Sequence, residues 1–207
     1  GRTGAQLLPE DLGLLSREFK NVRTVKEATG NLENMRRTRT VCGGDFMILS
    51  GDDALTHTVM TDPQVQASGV ISVISNVAPA AVSQMVGLLL NKDKAEAEKR
   101  MRVLAPLFNL VTVTTTEKTP FGEVVCRARN PLALKTLMAL LGMPGGGCRQ
   151  PLGKMTAKGL DTVLASARAV MAADPQVFQP VAEFFKVDVA ARLNSPDLSK
   201  GLCYDTY

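Results

Sequence analysis

The sequence predicts an α/β fold with parallel strands over residues 1–92, followed by a mostly helical appendage. Three observations carry that prediction. Short apolar runs ending near Lys26, Leu49 and Ser75 each pass into a turn and then a stretch with helical spacing. The units recur about every 22 to 25 residues, the length of a strand, a crossover helix and short loops. Finally, the run Phe46-Met47-Ile48-Leu49 is continuously apolar rather than alternating, as a strand covered on both faces must be. A doubly wound sheet and a (β/α)8 barrel both meet these demands, and periodicity does not choose between them. No Gly-x-Gly-x-x-Gly follows any of the strands, which counts against a dinucleotide fold.

The elements follow in order. Leu7 to Phe19 carries apolar residues at helical spacing, with Pro9 acceptable in a first turn. The strand ending at Lys26 comes next, then a small-residue turn and a polar helix from Asn31 through Arg39. The strand through Leu49 ends in Ser50-Gly51-Asp52-Asp53, and a helix lies between Asp53 and about Met60. Gly69 to Ser75 reads as the third strand, and Asn76-Val77-Ala78-Pro79 starts a helix reaching about Leu90.

Beyond residue 92 the pattern changes. Asp93 to Phe108 is a helix with one charged face, opening a helical domain expected over 93–174. Within it, the β-branched stretches 110–115 and 123–128 flank Thr119-Pro120-Phe121-Gly122 and read as a hairpin insertion at 110–128. Pro131 to Leu141 and Thr156 to Ala172 are further helices, the first stopped by a glycine-rich run. The tail, 175–207, has two short apolar groups and a polar end, and is expected to pack across a subunit contact or stay partly disordered.

Composition bounds the function. The 207 residues are 45% apolar and 21% charged, ordinary for a globular protein. A net charge of +4 with scattered basic residues does not point to nucleic acid. No apolar run nears the roughly 20 residues a membrane span needs, and no signal peptide is visible. Four cysteines without a Cys-x-x-Cys pair, and one histidine, make a metal site improbable and a reduced, cytoplasmic protein the economical reading. The opening Gly1-Arg2-Thr3-Gly4 lacks an initiator methionine and reads as the start of a fragment.

Lys26 is the leading candidate for chemistry. A strand delivering an amine at its C-terminal end puts it at the rim where α/β folds build their sites. Apolar walls that lower its pKa would let the neutral amine attack a carbonyl and form a Schiff base. The plain alternative is a lysine that snorkels to water. Glu27 and the Asp52/Asp53 pair offer carboxylates at the same rim, for acid/base work or a divalent cation, the commoner use of such aspartates being a helix N-cap. Arg2 could fork onto a substrate carboxylate or be an ordinary surface arginine. His57 reads as a helix-surface residue, and Gly51 and Gly69 permit close backbone approach, the first with an exposed carbonyl.

These residues also form blocks: Arg2-Thr3-Gly4 with Leu7-Leu8-Pro9-Glu10, Val25-Lys26-Glu27-Ala28-Thr29-Gly30, Leu49-Ser50-Gly51-Asp52-Asp53, Gly69-Val70-Ile71-Ser72-Val73, and Asn76-Val77-Ala78-Pro79. In this order and spacing they resemble the dihydrodipicolinate synthase family over about residues 1–172, within the pyruvate-dependent class I aldolase superfamily. The second and third blocks resemble the synthase rather than the sialic-acid lyase branch. The resemblance implies the last three strand-helix units of a (β/α)8 TIM barrel, a C-terminal helical domain, and condensation of pyruvate with aspartate semialdehyde towards diaminopimelate and lysine. It implies that Lys26 forms the imine with pyruvate, Arg2 binds the semialdehyde carboxylate, Gly51 presents its carbonyl beside the lysine, and Ile71 lines the pyruvate pocket. It implies no metal or organic cofactor, because the protonated imine is itself the electron sink, and it implies a homo-oligomer, dimer or tetramer.

Family members carry five earlier barrel strands that supply a threonine pair, a proton-relaying tyrosine and a second tyrosine from a neighbouring subunit. None falls in the matched blocks, and Tyr204 and Tyr207 lie outside them. Two alternatives therefore stand beside the synthase: another pyruvate-dependent aldolase, and an inactive piece acting as an interaction module.

Overall fold

A computed structural model describes residues 5–205. The chain divides into two compact units, one of Gly1–Val73 with Val82–Met101, the other of Ile74–Ala81 with Arg102–Tyr207.

The first unit is built on three parallel strands in the order β1 (Thr24–Glu27), β2 (Met47–Ser50), β3 (Gly69–Val70). Helices α1 (Pro9–Glu18), α2 (Leu32–Cys42) and α3 (Thr56–Thr61) alternate with them. Each helix start has a local cause. The Asp11 carboxylate accepts the Leu8 N–H at 2.9 Å ahead of Pro9, and the Asn31 side chain caps α2 by accepting the Asn34 N–H at 3.1 Å. Met35, Phe46, Ile48, Val59, Val65 and Ala67 form one buried cluster, with Val22, Val25 and Leu32 packed against it. This cluster covers one face of the sheet only. On the other face Thr24 and Lys26 are exposed, Met47 is 46% exposed and Ile71 45%.

The expectation of strands covered on both faces therefore holds for one face among the described residues. The third strand also ends sooner than its apolar run predicts. Asp53 accepts the Val73 N–H at 2.9 Å and the Ser72 hydroxyl, which draws this segment out of the ladder into a 3-10 turn at Ile74–Asn76. Conversely, β1 runs one residue past Lys26, because Glu27 still pairs with Ser50.

Two helices run from one unit into the other, α4 (Pro79–Leu90) and α5 (Lys94–Phe108). In the second unit an antiparallel hairpin joins β4 (Thr112–Thr119) to β5 (Gly122–Arg129). One face of β4 turns Val113 and Glu117 inward against α7 (Ala157–Ala173), where a side chain at Gly159 would already sit 3.9 Å from Val113. Helix α6 (Leu132–Leu140) buries Leu132, Leu134, Leu137 and Leu140.

The tail corrects the expectation of partial disorder. It is helical and packed: a 3-10 turn at Pro175–Phe178, α8 (Gln179–Phe185), α9 (Val189–Leu193) and α10 (Pro196–Ser199). Val177, Phe178, Val181, Val189 and Leu193 are buried within the unit. Arg168 donates to the Leu193 carbonyl at 2.6 and 3.1 Å, and Arg192 donates to the Leu140 carbonyl at 2.8 Å. Apolar residues three and four apart supply the inward face of these short helices, and the arginines satisfy carbonyls that would otherwise be orphaned at helix ends.

Candidate active site

Alternation along β1 decides where Lys26 goes. Val25 and Glu27 turn towards α1 and α2, so Thr24 and Lys26 turn to the face that helices leave open. In register, Lys26 stands beside Leu49 and Leu49 beside Gly69, which sets a lysine, a leucine and a glycine side by side across the sheet. The ends of the strands are tied by backbone bonds: the Gly51 N–H donates to the Glu27 carbonyl at 2.7 Å and the Ile71 N–H to the Ser50 carbonyl at 2.8 Å. Lys26, Gly51 and Ile71 thus come together at the C-terminal ends of three neighbouring strands. Arg2 lies outside the described residues.

The need for glycine at position 51 is steric. A Cβ there would stand 2.5 Å from the Ala28 Cβ, 2.9 Å from the Glu27 carbonyl oxygen and 3.0 Å from the Ala28 Cα. The backbone after β2 passes directly against the turn that follows Lys26, and only a hydrogen fits between them.

A cleft of about 510 Å³ borders β1, an edge strand of the three. Its walls include Gln6, Leu7, Leu12, Val25, Lys26, Glu27 and Thr29. The lining is mixed, with Leu7, Leu12 and Val25 beside the polar Gln6, Lys26, Glu27 and Thr29.

The carboxylates at the rim are structural. Glu27 is buried and accepts the Thr29 N–H at 2.8 Å and the Asn34 side-chain amide at 2.9 Å, which pins the turn after Lys26 to α2. Asp52 accepts the Ala54 N–H at 3.0 Å. Asp53 holds the Ser72–Val73 segment. Neither aspartate is the N-cap of α3, whose N-cap is Leu55 without a side-chain bond. His57 differs from a helix-surface residue: it is half-buried, and its Nε2 is buried with no hydrogen-bond partner among the described residues. Among the described residues no group of three or more His, Cys, Asp or Glu is placed to hold a metal ion.

Asn34 is the rim residue that sequence reasoning missed. It links Gln6 Nε2, at 3.4 Å, to the Glu27 carboxylate. Its signal is present in the sequence: an asparagine one turn inside a helix, seven residues after a glutamate that ends a strand.

A family profile described as "Dihydrodipicolinate synthetase family" matches residues 1–170 of the chain. The chain belongs to this family. Among curated dihydrodipicolinate synthetase relatives, the 4-hydroxy-tetrahydrodipicolinate synthase of Sulfurihydrogenibium sp. (strain YO3AOP1) is 38% identical over 142 residues, covering 69% of this chain and 43% of that protein. That of Methanothrix thermoacetophila is 35% identical over 156 residues, covering 75% and 47%. The solved 4-hydroxy-tetrahydrodipicolinate synthase from Methylacidiphilum fumariolicum SolV is similar with a TM-score of 0.71 and 29% identity, over 84% of this chain and 52% of that one. The enzyme from Cyanidioschyzon merolae, solved with lysine bound, gives 0.68 and 29%, over 81% and 51%. The chain thus spans about half the length of the family members it matches. Among the described residues, no helix is long and apolar enough to cross a membrane.

Proposed function

We propose that the protein condenses pyruvate with L-aspartate 4-semialdehyde to 4-hydroxy-tetrahydrodipicolinate, with Lys26 as the Schiff-base lysine. In this reading the three parallel strands are the last three of a (β/α)8 barrel, and the uncovered sheet face is its interior. The neutral Lys26 amine adds to the keto carbon of pyruvate and water leaves, giving an imine. Once protonated, the imine draws electrons from the methyl group, which loses a proton and adds to the aldehyde carbon, whose oxygen takes up a proton; the semialdehyde's amino group then adds to the imine carbon, closing the ring as the Lys26 amine leaves. The Gly51 and Ile71 backbones line the pyruvate side, and Arg2 takes the semialdehyde carboxylate. No metal or organic cofactor takes part. The enzyme works in the cytoplasm as a homo-oligomer, dimer or tetramer.

The observation that carries the reading is the position of Lys26: exposed, at the C-terminal end of a parallel strand, on a cleft, in a chain of this family. The test is reduction by borohydride in the presence of pyruvate on the full-length protein, followed by peptide mass spectrometry. A pyruvate-derived adduct on Lys26, lost in Lys26→Ala, is the expected result; an unmodified Lys26 would remove this enzyme and every other pyruvate-dependent aldolase together. Condensation assayed with the semialdehyde then separates the synthase from those other aldolases.

One observation favours a second reading. Met47 and Ile71 leave apolar surface on the open sheet face, and exposed apolar surface of this kind marks an interaction site. On that reading the 207-residue chain is an interaction module that associates with a complementary segment. Size-exclusion chromatography giving a folded monomer would rule against it.

A further inference from the structure

The opposite end of the same strand has a second cleft. It measures about 480 Å³ and is lined by Arg17, Lys20, Arg23, Cys42 and Asp45 among others. Arg17 comes from the last turn of α1, Lys20 and Arg23 from the turn leading into β1, and Asp45 from the turn before β2. A strand of four residues, roughly 13 Å long, separates this end from the Lys26 rim.

Three cations face a single carboxylate here, and among the described residues none of the four is ion-paired. Elsewhere in the unit the arginines of α2 are spent: Arg36 on Asp62, Arg37 on Glu10, and Arg39 on the carbonyls of Val65, Gly43, Gly44 and Phe46. The turn that presents the cleft's cations is preorganised. Lys20 Nζ donates to the Arg17 carbonyl at 3.4 Å, Arg23 Nε to the Lys20 carbonyl at 3.1 Å, and the Val22 N–H to the Phe19 carbonyl at 3.0 Å. Arg23 uses only Nε in this way, so its two terminal nitrogens keep the fork that fits an oxyanion. Burial pushes the Cys42 thiol up, so it stays neutral and leaves the positive charge uncompensated. The volume suits a small molecule.

We propose that this cleft binds a small phosphate-bearing polyanion, held by Arg17, Lys20 and Arg23. The site shares no lining residue with the Lys26 cleft and does not depend on the chemistry there.

The test is a titration of the purified protein with inorganic pyrophosphate at constant ionic strength, followed by calorimetry and by phosphorus NMR line broadening. Saturable one-site binding is expected. Arg17→Gln, which removes no hydrogen bond of the fold, should weaken it about tenfold or more, the scale of a lost charge-assisted contact. Asp45→Asn should strengthen it by removing the single opposing carboxylate. Lys26→Ala should leave it unchanged. Circular dichroism of each variant checks that it is folded, and Lys20→Gln serves as a second weakening variant. Binding that is absent, unsaturable, indifferent to both Arg17→Gln and Lys20→Gln, or lost in Lys26→Ala would overturn the assignment.

Discussion

Replacing Gly51 by alanine inserts one methyl group between the backbone after β2 and the turn after Lys26. Ordinary van der Waals contact begins at 3.4 Å, whereas the new Cβ would stand 2.5 Å from the Ala28 Cβ and within 3.0 Å of two backbone atoms. The Ala28 side of the contact must therefore withdraw by about 1 Å, a misplacement that costs on the order of a hundredfold in rate when it reaches a reacting group. The same shift stretches the 2.7 Å bond from the Gly51 N–H to the Glu27 carbonyl. Overpacking of this kind costs about 1–3 kcal/mol, which in a chain of this size lowers the melting temperature by about 2–12 °C. Thermal unfolding followed by circular dichroism measures the first effect, and the rate of borohydride trapping with pyruvate on the full-length protein measures the second. Gly44→Ala is the control, because a Cβ there meets nothing within 4 Å. Equal melting temperatures and trapping rates for Gly51→Ala and Gly44→Ala would refute the steric argument.

Three further perturbations test other contacts. Glu27→Ala leaves the Thr29 N–H and the Asn34 amide without their acceptor, and should cost about 1–3 kcal/mol in urea unfolding while slowing pyruvate trapping. The Arg36 guanidinium, hydrogen-bonded to Asp62 at 2.7 Å, together with the N–H groups of Gln64 and Val65, holds the Asp62 carboxyl below the usual carboxylate range. Its stabilisation is present above the unfolded-state value of about 3.9 and is lost as pH falls through the lower folded-state value. The urea midpoint should accordingly drop more steeply below about pH 4 in the parent than in Asp62→Asn. In the second unit, Leu137→Ala should cost about 2–5 kcal/mol, since Leu137 is fully buried, whereas Phe121→Ser at the hairpin tip, 98% exposed, should stay within about 0.5 kcal/mol.

The elements most legible in the sequence are those whose signals are local. Pro9 in a first turn and the helix starts expected at Asn31 and Thr156 lie within one residue of the observed starts, and the β-branched arms form the expected hairpin, its first strand running four residues further. The family blocks, read from the sequence, agree with the profile over residues 1–170. What was not legible depends on contacts across the fold. The early end of β3 is imposed by Asp53, some 20 residues away in sequence. The roles of Glu27 and Asp53 as acceptors for backbone groups, rather than free carboxylates, follow from turns that only the packed chain brings together. The tail looked weak because each of its apolar groups is short; its helices gain their inward faces from α7, which no local window contains.

The packed tail also sets a timetable. Val177, Phe178, Val189 and Leu193 close the core that α6 and α7 begin, and Arg192 reaches back to the carbonyls of Leu140 and Ala139. During synthesis at about 5–20 residues per second, Leu193 is added roughly 3–11 seconds after Leu137. Throughout that interval the core begun by α6 and α7 lacks the full set of apolar side chains from the tail. A chain halted between these two positions therefore has every strand of the first unit but lacks the Leu193 side chain that completes the core of the second.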